Sequence, residues 1–79
     1  MPFELYFDVI LTKDLPEEQL KAGDLGTVVE RHTAPGQEDG YSVEFFDMTG
    51  DTVAIVTLPA SLLRSPTHAD RPAVRAMAT

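Results

Sequence analysis

Leu20-Lys21-Ala22-Gly23-Asp24-Leu25-Gly26-Thr27-Val28-Val29-Glu30 sets a Gly-Asp-x-Gly turn directly ahead of a β-branched run. Glycine takes positive φ without a Cβ clash, so Gly23 and Gly26 fit a tight reversal. Thr27, Val28 and Val29 suit a pleated, half-buried surface. A glycine-punctuated turn feeding a short Val-rich strand predicts a small, strongly bent β-barrel or roll, and it carries no catalytic machinery of its own.

Working outward, residues 7–12 (Phe-Asp-Val-Ile-Leu-Thr) read as a first strand. Residues 14–20 read as a loop with one helical or 3₁₀ turn: Asp14 is placed to cap it, Pro16 suits its first turn, and Leu15 and Leu20 pin it. Residues 27–32 form the second strand. A polar loop with strong breakers follows over residues 33–40. The third strand, residues 41–47, alternates Tyr41, Val43 and Phe45 on one face with Ser42, Glu44 and Phe46 on the other. A Gly50-containing hairpin leads to residues 52–58, a near-continuous apolar run expected at the centre of the sheet. Residues 59–63 read as a 3₁₀ turn with Leu62 or Leu63 closing an open end of the barrel. The expectation is therefore an all-β domain of about five strands over residues 1–64, followed by a flexible tail over residues 65–79 with two prolines. A short helix over residues 73–78 is the tail's alternative state, formed on a partner.

The 79 residues suffice for one domain. A barrel of about 60 residues buries only ~60% of its unfolded surface, so stability is modest. The chain has no cysteine, hence no disulfide or thiolate metal site, which suits a reducing cytoplasm. The first residues carry acids early and lack a basic start, which makes a poor signal peptide, and no apolar run approaches the ~20 residues that span a bilayer. A soluble, cytoplasmic protein away from membranes is the expectation.

Net charge is −7. Residues 1–63 hold 3 Lys/Arg against 12 Asp/Glu, a net −9, and residues 64–79 hold 3 Arg against Asp70 alone, a net +2. An acidic body repels phosphate, which disfavours nucleic acid and anionic lipid as partners. Such acidity either keeps a small domain soluble or steers a basic protein toward it.

His32 and His68 are the two histidines, and a zinc site would need further ligands at tetrahedral geometry. Asp47 and Asp51 flank a turn, where shaping the hairpin is the simpler role. The loop and strand acids lack a pocket that would raise a carboxyl pKa. No nucleophile motif surrounds Ser42, Ser61 or Ser65. Gly23-Asp24-Leu25-Gly26 precedes a strand rather than a helix, so it is not a phosphate loop. The expectation is no enzyme, no metal and no cofactor.

The aromatics are too many for so small an interior. Phe45 and Phe46 point to opposite faces of a regular strand. Either Phe3 and Leu5 cover Phe46, which is the slightly favoured arrangement, or Phe46 is exposed with acids around it, as in a protein-binding patch.

Taken together, residues 7–30, with Tyr41-Ser42-Val43-Glu44-Phe45-Phe46-Asp47, Gly50-Asp51-Thr52-Val53-Ala54 and Thr57-Leu58-Pro59-Ala60, resemble the small bacterial domain family DUF4926. The resemblance covers about residues 3–64. It implies an SH3-like barrel with no established enzymatic activity and no agreed binding residues. Some members are encoded beside candidate toxin or nuclease-like proteins, which suits an antitoxin or immunity role. The glycine turn also resembles the KOW element of transcription and ribosomal proteins, but it lacks the clustered Lys/Arg that such modules use on RNA.

The functional expectation is a protein-interaction module for a basic protein partner. The contact residues would be Glu44, Phe46, Asp47 and Asp51, with Glu17 and Glu18 as a second acidic cluster. Two other readings stand beside it: an accessory or structural subunit of a larger enzyme complex, and an RNA or ribosome contact through Arg64, Arg71 and Arg75.

Overall fold

Five antiparallel strands, β1 (Asp8–Leu11), β2 (Leu25–His32), β3 (Gly40–Phe46), β4 (Thr52–Pro59) and β5 (Leu63–Arg64), form one sheet in the order β4-β3-β2-β1-β5. The structure is a computed structural model and describes residues 3–76. The first four strands meander, and β5 returns to the outer side of β1, the SH3-like arrangement that the resemblance implies. β2 joins the two parts of the curl. Its start pairs with β1 (Asp8 with Thr27, Val9 with Gly26), and it pairs with β3 along most of its length. A bulge between Val28 and Glu30 bends it, since an extra residue on one strand increases local twist. The sheet thus curls into a half-barrel around Val9, Leu11, Leu20, Val28, Tyr41, Val43, Phe45, Leu58 and Leu63.

The glycine turn forms as expected, but its two glycines do different work. Gly23 has φ of 97° and donates its N–H to the Leu11 carbonyl at 2.7 Å, which starts the reversal. Gly26 does not take positive φ. It is needed because the sheet closes over it: a Cβ there would lie 2.5 Å from Val43 Cγ1, 3.0 Å from Phe45 Cε1 and 3.1 Å from the Glu44 carbonyl oxygen.

Three further expectations need correction. β4 is an edge strand rather than a central one. Its Ala54 and Val56 pack against the core, Leu58 is buried, and Ile55 and Thr57 face outward, so the run alternates despite looking uniformly apolar. Asp14 does not cap the turn after β1. The 3₁₀ turn Pro16–Glu18 has Leu15 at its N-cap without a side-chain bond, and Asp14 instead accepts the Ala22 N–H at 2.8 Å. Leu15 and Leu20 do pin that loop, as a bridged pair with Leu20 buried. Phe3 does not cover Phe46. Its ring meets Tyr41 edge-on at 5.3 Å, and its N–H donates to the Tyr41 hydroxyl at 3.1 Å.

The second 3₁₀ turn, Ala60–Leu62, delivers Leu63 into the core at the barrel's end. Residues 65–76 contain no helix or strand, and the part of the expected 73–78 helix beyond Ala76 lies outside the described residues. The segment nevertheless makes side-chain contacts, both local and long-range. The Arg64 guanidinium forks onto Asp70 at 2.9 and 2.7 Å, and Arg75 reaches Asp24. Among the described residues no helix is long and apolar enough to cross a membrane.

Candidate functional site

Side chains alternate across each strand, so the residues between the core positions share the convex outer face. Register aligns Asp8, Thr27, Glu44 and Ile55 as one cross-strand row on that face. Two hydroxyls hold its acids in place: Thr27 Oγ1 donates to Asp8 Oδ1 at 3.1 Å, and Thr52 Oγ1 donates to Glu44 Oε2 at 2.5 Å. The neighbouring row carries Ile10 paired with Leu25, with Phe46 one step beyond the Gly26–Phe45 pair. Phe46 is 45% exposed, Leu25 53% and Ile55 61%, so these apolar groups lie open around the Glu44 carboxylate. Met48, at the hairpin tip, is also exposed.

The hairpin after β3 is built by Asp47. Its Oδ1 accepts the Thr49 hydroxyl at 2.7 Å, the Thr49 N–H at 2.9 Å and the Asp51 N–H at 3.0 Å. Gly50, at φ of 91°, completes the turn by donating to the Asp47 carbonyl. The Thr49 hydroxyl, helped by the Asp51 N–H, holds the Asp47 carboxyl below its ordinary pKa of 3.8. The residue is therefore a hairpin organiser whose second oxygen, Oδ2, is left to present negative charge. Asp51 is exposed on the same hairpin.

The structure thus gathers Glu44, Phe46, Asp47 and Asp51 at one end of the sheet. Glu17 and Glu18 sit apart on the first 3₁₀ turn, exposed, in the β1–β2 connection. Because the first residues of β2 pair with the last of β3, that connection and the β3–β4 hairpin leave the sheet at the same end. Leu25, Ile55 and Met48 were missed in the sequence. Strict alternation along residues 52–58 was the signal that could have found Ile55.

At the opposite end of the outer face lies a polar row. Ser42 is buried, and its hydroxyl contacts His32 Nε2 at 2.8 Å and Thr57 Oγ1 at 2.9 Å. The contact does not make a catalytic triad. Glu30 Oε1 approaches the same ring nitrogen at 3.7 Å, whereas a triad acid orients the imidazole through its other nitrogen. His32 is a strand-end residue at the surface. Among the described residues, no three His, Cys, Asp or Glu side chains gather into a metal site.

The family model described as Domain of unknown function (DUF4926) matches residues 5–65. The chain belongs to the DUF4926 family. No curated protein and no solved structure matches it. All five strands of this DUF4926 domain lie within the matched residues, as do the six candidate contact residues. Arg75 and the rest of residues 66–76 lie beyond them.

Proposed function

We propose that this DUF4926 domain is a non-catalytic, cytoplasmic protein-interaction module that docks a basic protein through the outer face of its sheet. The observation that carries this reading is Phe46, open to solvent beside Leu25 and Ile55, with Glu44, Asp47 and Asp51 at its margin. Apolar groups ringed by charge are the composition of an interface, the ring serving as anchor and the acids as steering charges. Glu17 and Glu18 add a second steering cluster at the same end of the sheet. Antitoxin or immunity binding of a basic nuclease is one specific form, with these carboxylates standing where substrate phosphates would lie.

The arginines give little support to an RNA role. Arg64 is paired with Asp70 and Arg75 with Asp24, so two of the three cations of residues 64–79 are internally neutralised. A second reading, an accessory subunit of an enzyme complex, draws on a different surface: Leu5, Tyr6 and Phe7 are exposed together ahead of β1. Salt separates the two. Docking through the acidic face weakens steeply as salt rises, while an apolar accessory interface does not. Co-purification with proteins encoded nearby, in low and high salt, tests both readings. A partner retained at low salt and lost at high salt supports the first, one retained at both supports the second, and recovery of none removes both.

A further inference from the structure

Ile10 alternates with Val9 and Leu11, so its side chain leaves the core and joins the outer face. It is nevertheless only 7% exposed, while its row neighbour Leu25 is 53% exposed. The segment after β5 is attached on both sides of Ile10. It departs from Arg64, which pairs with Ile10 on one side. It is fixed again at Arg75, whose Nη2 lies 2.5 Å from Asp24 Oδ2 and whose Nε lies 3.3 Å from Asp24 Oδ1. Nη2 also donates to the Gln19 carbonyl at 3.3 Å. Asp24 immediately precedes Leu25, the residue that pairs with Ile10 on its other side. The two attachments therefore flank Ile10, and residues 65–74 bridge them.

The course of this bridge is prepared. The Arg64 fork on Asp70 curls its first half, and Asp70 also accepts the Thr67 N–H at 2.7 Å. Pro66 and Pro72 restrict its backbone. At its far end Arg75 and Ala76 share a groove with Asp14, Pro16, Gln19, Leu20 and Lys21, alongside the first 3₁₀ turn.

We infer that residues 65–76 form a strap, clasped through Arg75, which occupies one end of the docking face and gives way to an arginine-bearing segment of the partner. Release uncovers Ile10 and extends the open apolar row from Phe46 through Leu25 to Ile10. The inference rests on the docking reading above for its partner, but the strap itself is tested without one. An ion pair this exposed contributes little. The clasp is thus weak enough to exchange, and losing it changes competition by about two- to fivefold.

The experiment uses the full chain, Arg75→Ala, Arg75→Lys and Asp24→Asn, followed through the Ile10 and Leu25 methyl resonances. The probe is a synthetic peptide with the sequence of residues 65–76. Arg75→Ala and Asp24→Asn are expected to shift the Ile10 methyl while leaving Val9 and Leu11 in place, with Arg75→Lys returning part of the way. The peptide is expected to bind Arg75→Ala about two- to fivefold more tightly than the unaltered chain, at the Ile10 and Leu25 methyls. Unchanged Ile10 signals in both Arg75→Ala and Asp24→Asn, or equal peptide affinity for the two chains, overturns the strap. Failure of the docking reading shows elsewhere, as partner capture that ignores Phe46→Ala.

Discussion

Gly26→Ala is the perturbation whose size follows most directly from the geometry. The added methyl would lie 2.5 Å from Val43 Cγ1 and 3.0 Å from Phe45 Cε1. Neither neighbour yields cheaply: both are buried in the core, and β-branched valine is stiff at χ1. The Glu44 carbonyl, at 3.1 Å, is backbone and moves only with β3. Overpacking of this kind costs about 1–3 kcal/mol. The lower entropy of an unfolded alanine chain offsets about 0.4–1 kcal/mol of that. A net loss of about 1–2 kcal/mol remains, out of a total on the order of 3–9 kcal/mol for some 60 residues. Each kcal/mol lowers the melting temperature of so small a domain by about 4–8 °C. Gly26→Val adds two more methyls and is expected to exceed 3 kcal/mol, roughly the upper limit of ordinary overpacking.

Urea unfolding of Gly26→Ala, Val43→Ala and the double variant isolates the cause. Val43→Ala removes the closest atom, so the double variant is expected to be more stable than the sum of the singles by about 1 kcal/mol. Gly23→Ala is the control. It meets open space but sits at φ of 97°, so its cost of about 1 kcal/mol is backbone strain and is independent of residue 43. A Gly26→Ala variant with unchanged stability refutes the close-approach reasoning. So does strict additivity with Val43→Ala.

Other expectations follow from single contacts. Phe45→Ala empties the centre of the core and is expected to cost about 3–5 kcal/mol, enough to unfold much of the population by circular dichroism. Tyr41→Phe keeps the ring against Phe3 but leaves the Phe3 N–H without its acceptor, an expected loss of about 1 kcal/mol in urea titration. Asp47→Ala is expected to accelerate amide exchange at Thr49 and Asp51, while Asp47→Asn, which keeps the accepting oxygen, preserves most of their protection. The Asp47 carboxyl is depressed below 3.8 by the Thr49 hydroxyl, and Asp70 is held well below the usual range by the Arg64 guanidinium. A depressed folded-state pKa means their contribution is present above the ordinary value and lost as pH falls through the lowered one. Carboxyl titration by NMR is expected to give both midpoints below 3.8.

Much of the fold could be read from residue chemistry. Gly23 and Gly50 mark turns that need positive φ, and Tyr41, Val43 and Phe45 mark one buried face. Most of the differences share a physical origin, because they depend on which segments become neighbours in space. Residues 52–58 look central by hydropathy, yet chain order leaves β4 with β3 alone as partner, and alternation then exposes Ile55. Gly26 looked like a turn residue because the β2 register that sets Val43 and Phe45 against it is not written locally. Residue type alone leaves Phe46 either covered by Phe3 and Leu5 or open, whereas Phe3 goes to Tyr41 and Phe46 stays open. The Arg75–Asp24 contact spans 51 positions, and nothing in local spacing pairs those two residues.

The docking face is tested most directly by co-purifying the full chain, its Phe46→Ala variant and its Glu44→Gln variant with their native neighbours at low and high salt. The expected result is a basic partner held by the unaltered chain at low salt, released at high salt, and lost with Phe46→Ala. A partner retained equally by all three chains, or none at any salt, would contradict the account.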